Sequence, residues 1–145
     1  MPFQANFFGE GCKITIEFRD YERPIADNDD DANWLRSSIH VEADPFSGAF
    51  PVALTTHEVI VLYERLKKAY DSLSGTVAFQ STEEDLLLEI EFLASGATII
   101  SGIARPHTSS RAALHFRFGS DQSAIGDSIR ELGLVLRRLP ARRIS

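Results

Sequence analysis

The sequence has one cysteine, Cys12, in 145 residues, so no internal disulfide can form. A chain of this kind is expected in the cytoplasm rather than in an oxidising compartment. No apolar run approaches the ~18 residues needed to cross a bilayer, and no membrane partner is expected. The opening MPFQANFFGEG lacks the basic stretch and long apolar run of a signal peptide. Phe3, Phe7 and Phe8 are instead expected to dock as an edge segment. No solenoid repeat, low-complexity tract or linker divides the chain. The expectation is one domain over 1–145, with 1–11 as a docking N-terminal segment and 140–145 as a basic tail.

Catalytic signatures are also missing. No G-x-S-x-G occurs. His40, His57, His107 and His115 form neither H-x-x-x-H nor H-E-x-x-H, and Cys12 has no partner cysteine, so no metal is expected. Gly9-Glu10-Gly11 precedes a strand and lacks the third glycine of a dinucleotide fingerprint. Neither a cofactor nor an enzymatic activity is predicted. His40 and His115 fall on outward strand faces, where they meet only if their strands are neighbours.

Charge is plentiful and uneven. Residues 1–136 hold all 21 acids and 11 of the 15 lysines and arginines, a net of −10, while residues 137–145 carry +4. An acidic body repels phosphate backbones, which argues against nucleic acid, and favours encounter with a basic protein. Arg137 and Arg138 complement the negative end of a final helix, and Arg142 and Arg143 are expected in solvent.

Periodicity gives the elements. CKITIEFR and WLRSSIHVEA alternate apolar and polar residues, as half-buried strands do. DPFSG, Asp44 to Gly48, reads as a turn, and AFPVAL as a strand at an edge or bulge because Pro51 has no N–H to give. Thr55 and Glu58 form a capping box opening a helix, with Val59, Leu62, Leu66, Ala69 and Leu73 as its apolar stripe and Gly75 as its left-handed cap. TVAFQ, LLLEIEFL, ATIISGIA and RAALHFRF follow as an antiparallel meander, and Glu89 and Glu91 could pair with Arg111 and Arg117 across it. A second helix begins at Ser120 or Asp121 and ends at Pro140. Gly126 and Gly133 share one of its faces and imply close approach to something bulky. The expected fold is α+β: a mainly antiparallel sheet of about seven strands, in the order βββα ββββα, with two amphipathic helices packed on it.

The densest polar feature is DNDDDANWL. Counted from Asp27 as a calcium loop, it lacks the glycine at position six and the glutamate at position twelve. A solvated acidic loop, or an acidic lip for a basic partner, fits better. Trp34 beside it reads either as a binding anchor or as a ring covered by other elements. The candidate contacts are Asp27, Asp29, Asp30, Asp31 and Trp34, with Glu83, Glu84 and Asp85 as a second acidic loop.

Tyr21 followed by the acidic loop and Asp31-Ala32-Asn33-Trp34-Leu35, the strand start Glu84-Asp85-Leu86-Leu87-Leu88, and an ending of helix plus Leu139-Pro140-Ala141-Arg142 together resemble the WapI-type bacterial immunity proteins. The resemblance spans Gly11 to Arg142, with D-A-N-W-L as its sharpest element. It implies a cytosolic antidote that binds and blocks the toxic C-terminal domain of a polymorphic toxin, without catalysis. The rival reading is an enzymatic or small-molecule-binding α+β domain with a pocket between sheet and helices, for which the sequence offers no residue set.

Overall fold

A computed structural model describes residues 3–107 and 111–144. Part of the expected RPHTSS turn and the extreme termini lie outside them. The described residues form β1 (Phe3–Gly9), β2 (Cys12–Tyr21), α1 (Asp29–Ala32), β3 (Trp34–Ala43), β4 (Phe46–Thr55), α2 (Thr56–Ser72), β5 (Gly75–Gln80), β6 (Leu86–Phe92), β7 (Thr98–Ala104), β8 (Leu114–Ser120) and α3 (Gln122–Arg138).

The class is α+β as expected, but the sheet is divided and a third, short helix, α1, stands beside the two expected. β1 to β4 form one antiparallel meander and β5 to β8 a second, each followed by a long helix. The strand count among the described residues is eight rather than seven, because Phe3–Gly9 pairs along its whole length with β2, from Phe3 opposite Phe18 to Gly9 opposite Cys12. Each meander pairs only within itself, and α2 forms the connection between them.

Alternation sets the inner faces. Ile14, Ile16 and Phe18 of β2 and Leu35, Ile39 and Val41 of β3 are buried, as are Leu86, Leu88, Ile90 and Phe92 of β6. The β3–β4 register pairs Ala43 with Phe46, so Phe46, Ser47 and Gly48 are strand, and the turn is only Asp44-Pro45. Pro51 lies in β4, an outer strand of its sheet. His40 on β3 and His115 on β8 belong to different sheets and do not meet. Glu89 and Arg117 do not pair directly either, since Ser101 of β7 stands between them in the register. Arg111 precedes β8 and takes no place in the ladder.

The edge strands β1 and β8 approach at one seam. Glu10 donates its N–H to Gly119 O at 3.1 Å, and Ser120 Oγ donates to Phe8 O at 2.6 Å. Gly9 is required there: a Cβ on it would sit 2.0 Å from Gly119 O.

α2 opens with the expected capping box, Thr55 accepting from Glu58 N–H at 3.1 Å and Glu58 Oε1 accepting from Thr55 N–H at 2.8 Å. Its left-handed cap is Leu73, at φ 51°, rather than Gly75, which stands two residues on as the start of β5. α3 is capped by Asp121, whose Oδ1 accepts from Ala124 N–H at 2.8 Å. The glycine face of α3 receives two tyrosines of α2. A Cβ on Gly126 would lie 3.2 Å from Tyr70 Oη, and one on Gly133 would lie 3.3 Å from Tyr63 Cε1. The later tyrosine meets the earlier glycine, so the helices run antiparallel. α3 also covers β1, whose outer edge would otherwise expose unpaired backbone. Glu131 Oε1 accepts from the Asn6 N–H at 2.9 Å, Glu131 Oε2 accepts from Asn6 Nδ2 at 3.1 Å, and Ser128 Oγ donates to Asn6 O.

Candidate partner-binding face

The acidic loop leaves β2 at Tyr21 and enters β3 at Trp34. Its stretch Glu22–Asp31 holds five acids against one arginine, Arg23. Short local bonds shape it. Asn28 caps α1 by accepting from Asp31 N–H at 2.8 Å, and its Nδ2 donates to Asp31 Oδ2 at 3.1 Å. Arg23 reaches the same Asp31 oxygen at 3.4 Å.

The loop is then fixed by a residue more than a hundred positions away. The Arg142 guanidinium donates to Ala32 O, to Pro24 O at 3.0 Å and to Arg23 O at 2.7 Å, three carbonyls that the loop turns inward. Its backbone N–H donates to Asn33 Oδ1 at 2.7 Å, and its O accepts from Asn33 Nδ2 at 2.9 Å. The guanidinium lies over the Tyr21 ring, 3.7 Å from the centroid. Tyr21 donates its hydroxyl to Pro140 O, and Ile144 donates its N–H to Asp29 Oδ1 at 2.6 Å. Burial pushes the Tyr21 phenol above its ordinary pKa, against an opposite pull from Arg142, so the donor stays protonated. Arg142 is therefore not the solvated tail residue expected. A planar fork with several donors matches a ring of carbonyls, which a solvated reading of a terminal arginine overlooks. Arg137 and Arg138 do close the last turn of α3.

This clasp leaves the acids pointing differently. Asp27, Asp29 and Asp30 are exposed, and Asp31 is half-buried. Trp34 is also half-buried, and its O accepts from Glu22 N–H at 2.8 Å. Ile25, 91% exposed in the same loop, went unnoticed in the sequence because a lone isoleucine among acids breaks no pattern.

The second acidic loop is a tight turn. Ser81 O accepts from Glu84 N–H at 2.8 Å, Glu84 adopts a left-handed φ of 61°, and Glu58 Oε2 accepts from Thr82 N–H at 2.9 Å. Glu83 and Glu84 are exposed. Asp85 is not a surface residue: it is wholly buried, with Oδ2 2.6 Å from His107 Nδ1. His107 Nε2 lies 2.7 Å from Glu83 Oε2. The hydrogen bond to Asp85, with the charges of Asp85 and Glu83, raises the His107 pKa above its ordinary value, against a smaller opposing effect of desolvation. Nothing in the spacing of residues 83, 85 and 107 marks this cluster; the β6–β7 pairing, which sets Leu86 opposite Ala104, brings it together.

A cleft joins the two acidic loops. Glu22, Arg19, Arg36, Phe50 and Pro51 line it together with Glu83 and His107. Its cations are already committed, Arg36 in a two-pronged pair with Asp20 and Arg19 at 3.2 Å from Glu17.

The model of the immunity protein WapI-like family matches residues 6–140. The chain belongs to this family. That match includes Tyr21 and Asn33 and stops short of Arg142. No curated protein matches the sequence. Among solved structures, a plant transcriptional regulator, PBF-2, is similar at 9% identity with a TM-score of 0.56, over 96% of this chain and 82% of that one. At that identity the likeness concerns the fold alone. No helix among the described residues of the WapI-like chain is long and apolar enough to cross a membrane.

Proposed function

We propose that this WapI-like protein is a non-enzymatic antidote that binds a toxin domain and covers a basic surface on it. The observation that carries the reading is the clasped acidic loop: Asp27, Asp29 and Asp30 stand in solvent on a backbone held by Arg142 and Asn33. Holding the loop before encounter reduces the ordering cost of binding. Negative potential there speeds encounter with a basic partner. Ile25 supplies an apolar contact between the charges, and Glu83 and Glu84 extend the acidic rim. The protein acts by occlusion, in the cytoplasm, and Asp85 takes no direct part.

The test uses, as candidate partner, a toxin domain sought in the reading frames that flank this gene. Asp27 and Asp30 are the cleaner probes, because Asp29 and Asp31 also hold the loop. Asp27→Asn with Asp30→Asn slows association about tenfold at low salt, and the deficit shrinks in about 0.5 M salt. An association rate unchanged at low salt rules out the acidic face. Failure of the unaltered protein to bind that domain rules out the antidote reading itself.

A further inference from the structure

The cluster of Glu83, Asp85 and His107 is not explained by partner binding. Asp85 is wholly buried, yet its Oδ1 has no hydrogen-bond partner among the described residues, and its Oδ2 faces His107. A buried carboxylate served on one oxygen only is left with uncompensated desolvation. His107 is bracketed by carboxylates on both ring nitrogens, and a neutral imidazole carries only one N–H. The site therefore calls for a cation beyond that single proton. A second ring proton would serve Glu83 and leave Asp85 Oδ1 as it is. A metal ion can engage the Asp85 carboxylate through either oxygen.

We propose that Glu83, Asp85 and His107 bind one divalent transition-metal ion, which ties the β5–β6 turn to the segment that follows β7. The distances allow it. One ligand atom from each residue lies within 4.8 Å of the others. Ligands bound to one ion at about 2.1 Å stand about 3.0–3.5 Å apart, so an ion on Nδ1 beside Asp85 needs the exposed Glu83 side chain to swing over from the Nε2 side. The imidazole favours an ion such as Zn2+ or Ni2+ over Ca2+ or Mg2+, which prefer oxygen alone. An ion on Nδ1 leaves the single proton of a neutral ring on Nε2, facing Glu83, and releases a proton to solvent only from a doubly protonated ring. Glu83 and His107 border the cleft, which gives an entry path and leaves the remaining positions to water. Of the other charged groups lining that cleft, Arg19 and Arg36 are paired with Glu17 and Asp20, and Glu22 adds negative charge. The site goes beyond the antidote reading and does not depend on it.

The experiment is titration of the chelator-treated full chain with Zn2+, read by calorimetry and by thermal melting. The expected result is saturable binding of one ion and a melting midpoint raised by about 5 °C or more once the ion stands well above its dissociation constant. His107→Ala abolishes the shift, Glu83→Gln weakens binding about tenfold or more, and His57→Ala, in the exposed first turn of α2, leaves both unchanged. Asp85→Asn perturbs a buried position, so the first two variants carry the test. Absence of saturable binding at about 0.1 mM Zn2+, or binding that survives His107→Ala, overturns the proposal. So does a stability that responds to pH and not to the ion.

Discussion

Asn33 and Arg142 hold each other in both directions. The Asn33 side-chain amide donates to Arg142 O at 2.9 Å, and Arg142 N–H donates to Asn33 Oδ1 at 2.7 Å. One residue lies in the D-A-N-W-L mark and the other in the L-P-A-R ending, so two of the three stretches that carry the family resemblance are a single contact in space. Asn33 O also accepts from Thr56 N–H at 2.9 Å, which joins the same asparagine to the start of α2.

Removing the guanidinium strands three carbonyls and uncovers Tyr21. Arg142→Ala is expected to cost about 2–3 kcal/mol, read by denaturant unfolding. Arg142→Lys recovers little, because an ammonium cannot span the same ring of acceptors. Amide exchange in residues 22–33 rises in both variants. Exchange unchanged in Arg142→Ala contradicts the clasp.

The tyrosine and glycine contacts between α2 and α3 predict a graded response. Gly126→Ala gains up to about 1 kcal/mol of helix propensity and meets Tyr70 Oη at 3.2 Å, so its net effect is near zero. Adding Tyr70→Phe removes the crowding oxygen and releases the gain. Gly126→Leu and Gly133→Leu force the helices apart and cost about 1–3 kcal/mol. Thermal melts of the four variants check the order, and a stabilising leucine contradicts it.

The cover over β1 rests on Glu131. Glu131→Ala leaves the Asn6 N–H without its acceptor and is expected to cost about 1–2 kcal/mol. Glu131→Gln keeps one acceptor oxygen and loses less. Equal losses in the two variants, measured by denaturant unfolding, show that the carboxylate acts by charge alone.

In metal-free protein His107 predicts a pH dependence with a definite sign. Its folded pKa is raised, by the Asp85 hydrogen bond first. Its contribution to stability is therefore complete below the unfolded value of about 6.5 and is lost as pH rises through the higher folded value. With chelator present, the stability difference between wild type and His107→Gln shrinks across that window. A difference that stays constant from about pH 5.5 to 8.5 contradicts the paired imidazole.

Much of the fold was written in local pattern. Period-two alternation located β2, β3 and β6, the Thr55–Glu58 box placed the start of α2, and the missing N–H of Pro51 put β4 on an outer edge. Each of these depends on neighbours a few residues away. The partition into two sheets did not, because alternation is the same whether a strand's neighbour lies in one sheet or another. The site divided along the same line. Composition identified the acidic loop and left Asp27, Asp29 and Asp30 where a solvated charge is cheapest. It also grouped Asp85 with Glu83 and Glu84, although Asp85 occupies an inward position beside β6 and is sealed by His107.

The sequence by itself determined the class of elements, the capping box that starts α2 and the sign of the charge, since propensity, capping and net charge are properties of short stretches. Only the tertiary structure decided that a terminal arginine clasps the acidic loop and that three residues spread over 83–107 share one point. Both depend on how strands register and helices dock, and those distances are set when the core closes.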